Sequence, residues 1–161
     1  MKKSDRRKIL NPYIGLDGYN CFGCCPSNKH GLRMEFYEES DYVVSNWKPG
    51  DQFSGYKQVL HGGIQATLMD EITAWIIQVK LKTAGVTAGM DVRFIKPVFV
   101  SESNITVKAK IDKVIKKIAV IKAELYNSAM ELCSEGLIRY YIYPTDEAVK
   151  NLYYPGYQKF F

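Results

Sequence analysis

Histidine is scarce in this chain, with two residues in 161, and the glycine patterns that mark the commonest nucleotide and serine-hydrolase sites are missing. Without a Gly-x-Ser-x-Gly elbow, a P-loop or a Gly-x-Gly-x-x-Gly turn, an elbow-type serine hydrolase, a P-loop NTPase and a Rossmann dinucleotide enzyme lack support. No stretch reaches the ~20 apolar residues of a membrane-spanning helix. The start, MKKSDRRKIL, is basic but has no apolar run of the kind a secretory signal requires, so the sequence predicts a cytoplasmic protein. The net charge of +5 is modest and suits a solvated lysine-rich face, so neither nucleic acid nor a membrane is expected as partner.

Cysteine is sparse and poorly placed for crosslinking. Of four, three fall in CFGCCPSNKHG (Cys21 to Gly31), two of them adjacent, and Cys133 lies far away. Without an export signal the thiols are expected to be reduced. Cys21, Cys24, Cys25 and His30 offer four zinc ligands in principle. Structural zinc sites usually draw on two separated knuckles, however, and here all four come from one loop, so the segment reads as a Gly/Pro/Asn turn and no metal is expected. No cofactor is expected either.

What is present is the composition of one folded domain: 47% hydrophobic and 24% charged residues in a chain too short for two ordinary domains. Residues 1–31 form a lead-in, 32–143 the main body, and 144–161 an aromatic tail expected to dock on the body or on a neighbouring subunit. Leu32, Met34 and Phe36 alternate with polar neighbours, as in a half-buried strand, and YVVSNW (Tyr42 to Trp47) predicts a second. After Pro49-Gly50-Asp51 comes the one long helical pattern. Ile64, Leu68, Ile72, Trp75 and Val79 recur at spacings of four and three, ending near Lys80 to Lys82 with Gly85 beyond as a stop signal. Four strand-like stretches follow: VTAGMDVRFIKPVF, where Pro97 suggests an edge or a bend, then NITVKAKIDKV, IAVIKAELY and LCSEGLIRYYIY, the last two joined by an Asn127-Ser128 turn. The fold class is therefore α+β, an antiparallel sheet of about six strands with one long helix on its concave face.

Chemistry concentrates in VLHGGIQATLMDEITAW, Val59 to Trp75. On a helical wheel Asp70 falls almost opposite the apolar stripe, among Ala66, Thr73, Ala74 and Ile77. That face is too small and apolar to be a solvent face, so Asp70 reads as a covered carboxylate, either functional or merely meeting a hydroxyl or amide at a packing interface. Glu71 sits nearer the stripe, at the sheet edge or sharing the role. His61-Gly62-Gly63 stands at the helix start, where unpaired N–H groups and the positive dipole end can hold a developing oxyanion, or where glycines simply allow tight packing and the histidine caps the helix. Gly62 and Asp70 are eight residues apart, ~12 Å along a helix at ~1.5 Å per residue, so they cannot both touch one carbonyl. If both act in one site, two antiparallel copies of the helix must supply one residue each.

GYKQVLHGGIQATLMDEITAW followed by GVTAGMDVRFIKPV resembles the hotdog-fold acyl-CoA thioesterases of the phenylacetate-degradation type, and CFGCCPSNKHGL is similar to the Cys-x-x-Cys lead-in of some members. The resemblance covers Cys21 to Tyr143. It implies a sheet wrapped around a central helix, a homodimer or a dimer of dimers (homotetramer), and hydrolysis of an acyl-CoA substrate between subunits. By the same resemblance Gly62 would polarise the thioester carbonyl, His61 would order the loop, Asp70 of the partner chain would be nucleophile or general base, and Thr87 would help position water. Some relatives carry an asparagine where this chain has Gly55, a role Gln58 could take. Gly63 is expected to contact substrate. Arg93 and Lys96 are candidates for coenzyme A's phosphates, with a solvated basic edge as the plainer reading. A hotdog hydratase or dehydratase is an alternative, thinly supplied with histidine, and a non-catalytic acyl-CoA-binding regulatory module is another.

Overall fold

The computed structural model describes residues 6–161, so the first five residues of the basic start lie outside it. In chain order come β1 (Arg6–Ile9), β2 (Phe36–Glu39), β3 (Tyr42–Trp47), α1 (Gly62–Ile76) with a π-helical extension (Ile77–Leu81), β4 (Gly85–Phe94), β5 (Ile105–Ile115), β6 (Ile118–Tyr126), β7 (Leu132–Ile142) and α2 (Thr145–Leu152). The strands form one antiparallel sheet in the order β1-β2-β3-β5-β6-β7-β4, with α1 against one face. This is the expected α+β hotdog architecture with a seventh strand. The additional strand is RRKI, which is too short and too basic to show a period-2 apolar pattern, and its register comes from pairing Ile9 with Phe36. No helix among the described residues is long and apolar enough to cross a membrane.

Alternation decides which face of each strand is buried. Val107 and Ala109 of β5, Ile121 and Ala123 of β6 and Ile138 of β7 are buried with Leu68, Ile72, Trp75 and Ile76 of α1. Leu32, Met34 and Phe36 are all buried as their alternation predicts, but only the last lies within a strand; Leu32 is instead fixed through its carbonyl, which accepts the Trp47 indole N–H at 2.7 Å. The helix ends at Lys82, within the expected Lys80 to Lys82, and Lys82 itself rather than Gly85 takes the left-handed conformation that stops it. Gly85 instead opens β4, where a Cβ would lie 2.4 Å from the Tyr141 carbonyl.

The lead-in and the tail close the core over the C-terminal half of α1. Phe160 is fully buried, stacks with Tyr154 at 5.9 Å and meets Trp75 edge-on at 5.7 Å. Tyr154 donates to the Gln78 carbonyl at 3.0 Å, and Leu10 N–H donates to the Phe160 carbonyl at 2.8 Å, so the tail is tied to the π-helical turn and the lead-in to the tail. Truncating a buried aromatic costs roughly 3–5 kcal/mol. Phe160→Ala is expected to lower unfolding stability by that order in urea titration. A loss below about 1 kcal/mol would show that the tail does not share the core.

Candidate active site

The helix opens at His61, whose Nδ1 accepts the Gly63 N–H at 2.9 Å; the cap therefore engages the second helical residue. Ile64 and Gln65 N–H groups donate to the His61 carbonyl. The Gly62 N–H, among the described residues, has no acceptor, and it points from the positive end of the helix dipole. A Cβ at Gly62 would sit 3.5 Å from the Phe94 ring, so an apolar wall already lies against this glycine. A cleft of about 490 Å³ lined by Gly55, Tyr56, Val59, Leu60, His61 and Gly62 opens beside it.

Asp70, two turns further along, is half-buried. Its Oδ1 accepts two hydroxyls, Thr87 Oγ1 at 2.8 Å and Tyr140 OH at 2.9 Å, and Tyr140 also reaches the Asp70 carbonyl at 3.1 Å. A β-bulge sets this meeting. Thr87 pairs with Tyr140 and Gly89 with Arg139, so Ala88 is the extra residue and the strand's facing switches parity around it. Met90, Val92 and Phe94 pair with Ile138, Gly136 and Ser134 on the helix side, and the bulge turns Thr87 to that side as well. Burial, then the neighbouring Asp70 charge, pushes the Tyr140 phenol far above its ordinary value, so it remains a donor. Asp70 Oδ2 has no partner among the described residues. Asp70's face of the helix is thus covered by β4 and β7 of the same chain; Thr73 and Ile77 on that face are fully buried.

The sequence singled out Asp70 and Thr87, and they meet. Tyr140 was missed, although alternation in LCSEGLIRYYIY places it with Ile138 on the inner face, where a buried phenol requires a hydrogen-bond partner. Other candidates lie elsewhere. Glu71 turns away from Asp70: its Oε1 accepts the Trp75 indole N–H at 3.0 Å, and the Cys21 thiol lies at 3.5 Å. Gly63 N–H is occupied by His61. Gln58 is exposed, in a left-handed conformation with φ 63°, and does not line the cleft over Gly62. At Gly55, a Cβ would lie 3.2 Å from His61 Cδ2, so a larger residue would press on the cap. Arg93 pairs with Glu135 on the outer face, and Lys96 with Glu131 at 2.9 Å between the adjoining loops, both solvent-accessible ion pairs. They fit the plainer reading of a solvated basic edge.

Residues 57–134 match the family model described as the thioesterase superfamily. Among solved structures, a thioesterase superfamily protein is 20% identical with a TM-score of 0.66; the alignment covers 72% of this chain and 57% of that one, so the present chain spans little more than half its length. A hypothetical thioesterase from Streptococcus pneumoniae TIGR4, solved with coenzyme A, is 19% identical (TM-score 0.64, covering 70% of this chain and 87% of that one). The PaaI protein of the phenylacetic acid degradation operon of E. coli is 18% identical (TM-score 0.64, covering 71% and 82%). No curated protein matches the sequence significantly. The hotdog-thioesterase resemblance read from the sequence stands, in the family pattern and in the fold.

Hydrogen bonds to a charged group contribute about 1.5–3 kcal/mol each, and their loss is greatest where water cannot replace the donor. Tyr140→Phe is therefore expected to destabilise the protein by that order in chemical denaturation, and Thr87→Val by less, because Thr87 is exposed. Tyr141→Phe, on the outer face, should stay within about 0.5 kcal/mol of the parent. Equal effects of Tyr140→Phe and Tyr141→Phe would contradict the role given to the Asp70 contact.

Proposed function

We propose that this chain, with the thioesterase superfamily pattern over residues 57–134, hydrolyses acyl-CoA thioesters to free acid and coenzyme A in a site shared between two copies. The observation that carries the reading is the Asp70 carboxylate, anchored at one oxygen by two hydroxyls and open at the other, in a helix whose first amide is also open. Coenzyme A bound to the Streptococcus pneumoniae protein of similar fold supports coenzyme A as the carrier.

The chemistry divides between two helices because one helix separates the groups by ~12 Å. The thioester carbonyl accepts the Gly62 N–H of one copy. Asp70 of the other takes a proton through Oδ2 from a water that attacks the carbonyl carbon, while Thr87 and Tyr140 hold Oδ1. The oxyanion of the tetrahedral intermediate is stabilised by the Gly62 amide and the helix dipole. Collapse breaks the carbon–sulfur bond, and the Asp70 carboxylic acid returns its proton to the departing coenzyme A thiolate. His61 keeps the loop in shape. Glu71, Arg93 and Lys96 have no part in this scheme, nor does Gly63.

Edge geometry supports the pairing. β4 ends the sheet, and its outer edge is unpaired among the described residues over a strand of ten residues. Long, apolar edges are usually covered in native proteins, and Phe94 and the adjoining Ile95 are 53% and 43% exposed. Antiparallel addition of a second β4 would continue the sheet and set two α1 helices side by side in opposite directions. Two such dimers could then associate. Lead-in, body and tail act in this reading as the three parts bounded at residues 31 and 143.

Release of free thiol from a panel of aliphatic and aromatic acyl-CoAs tests the activity. Asp70→Asn is expected to keep the fold and lower turnover by a factor on the order of 100 or more, with Glu71→Gln close to the parent. Gly62→Val, which crowds the amide against Phe94, should cost roughly 10²-fold. Unchanged turnover in Asp70→Asn, or the larger loss in Glu71→Gln, would sink the assignment.

A further inference from the structure

Glu71 has a second set of neighbours that the reaction does not use. The sulfur atoms of Cys21 and Cys24 and a carboxylate oxygen of Glu71 all lie within 4.8 Å of one another. Cys21 Sγ stands 3.5 and 3.6 Å from the two Glu71 oxygens. The Cys21–Glu71 separation is the one a tetrahedral zinc requires, since bonds of ~2.3 Å to sulfur and ~2.1 Å to oxygen give a sulfur–oxygen edge of ~3.6 Å; Cys24 lies within 4.8 Å of both, against a sulfur–sulfur edge of ~3.8 Å. We propose that Cys21, Cys24 and Glu71 bind a zinc ion, with the fourth position facing the adjoining cavity.

The surroundings are built to hold such a set. Trp75 Nε1 donates to Glu71 Oε1 at 3.0 Å and fixes the carboxylate from a buried ring. Tyr19 OH lies 3.0 Å from Cys24 Sγ while accepting Asn11 Nδ2 at 2.9 Å, and so can donate to a Cys24 thiolate. Partners of this kind orient metal ligands. Residue 23 is glycine where the loop closes on the carboxylate; a Cβ there would lie 2.4 Å from the Glu71 carboxyl group. The cavity beside the cluster, about 320 Å³, has no lysine or arginine in its lining among the described residues, so the carboxylate has no counter-ion from the protein. Half-buried carboxylates without a cation are costly, and a metal removes that cost.

The donor set differs from the one the loop alone suggests. Cys25 turns away to Ser27, at 3.3 Å, and His30 is exposed; the third ligand arrives from α1, fifty residues along the chain from Cys21. Zinc would therefore join two separate parts of the chain, the lead-in and the middle of the helix, one residue from Asp70. Binding releases the two thiol protons, giving two thiolates and one carboxylate around Zn²⁺. Three protein ligands leave a coordination position for water or a small soft donor entering from the cavity.

The test uses the full chain, purified under reducing conditions and stripped with a chelator, and follows zinc and cobalt(II) binding; neither readout depends on thioester turnover, so its failure leaves the proposed function untouched. The expected result is one zinc per chain by elemental analysis and native mass spectrometry. Cobalt should give intense tetrahedral visible bands and thiolate-to-metal charge transfer. Cys21→Ser and Cys24→Ser should each weaken zinc binding by at least ~100-fold, and Glu71→Gln and Trp75→Phe by ~10- to 100-fold. Cys25→Ser should bind like the parent. Circular dichroism of the metal-free variants, matching that of the metal-free parent, keeps loss of a ligand distinct from loss of fold. The proposal is overturned if the reduced parent binds zinc no better than the Cys21→Ser and Cys24→Ser variants, if Cys25→Ser loses zinc equally, or if the anaerobically isolated protein carries a Cys21–Cys24 disulfide and no metal.

Discussion

The rise of an α-helix is the constraint on which this molecule turns. Gly62 and Asp70 sit on one rigid element, ~12 Å apart along its axis, and the surrounding packing gives that element no freedom to shorten the distance. Leu68, Met69, Ile72 and Ile76 are fully buried against the sheet, and the aromatic tail locks the C-terminal turns through Trp75 and Gln78. A helix fixed in this way presents an open amide at one end and an anchored carboxylate two turns later, too far apart to meet on one carbonyl.

Anchoring the carboxylate is a matter of strand geometry. Without the extra residue at Ala88, the parity of β4 would carry Thr87 to the outer face with Asp91 and Arg93, leaving Asp70 with Tyr140 alone. One bulge thus converts a regular edge strand into part of a polar site while Met90 and Val92 still pack inward. The same strand leaves its other edge open, so the element that completes the carboxylate's surroundings also offers the means of bringing in a second copy.

Periodicity made most of the fold legible. Tyr42–Trp47 appears in the structure at the bounds the sequence predicts, and the stripe from Ile64 to Val79 faces the core as its spacing requires, half-buried at Ile64 and buried from Leu68 onward. The missing pieces are those whose structure is set by contacts rather than by pattern. RRKI becomes a strand only because β2 lies beside it, and the π-helical turn at Ile77–Leu81 coincides with the docking of Tyr154. The site divides in the same way. Asp70 stood out because a carboxylate on a small, apolar face is anomalous in any helix, whereas Glu71, beyond its one-turn neighbour Trp75, is defined by Cys21 and Gly23, whose approach no local spacing reveals. The ion pairs that occupy Arg93 and Lys96 depend on the register of β4 with β7 and on the Asn127–Glu131 turn between β6 and β7, equally invisible in a linear reading.

If each site takes Gly62 from one chain and Asp70 from another, two proteins disabled at different halves should repair each other. The decisive measurement is thioester hydrolysis by a co-refolded mixture of Asp70→Asn and Gly62→Val chains, with mixed dimers verified by differential tags. With random exchange about half of the dimers are mixed and each holds one intact site of two, so activity should recover to roughly a quarter of the parent's and rise in step with subunit exchange. Mixed dimers that form and remain as inactive as either variant alone would contradict the shared site.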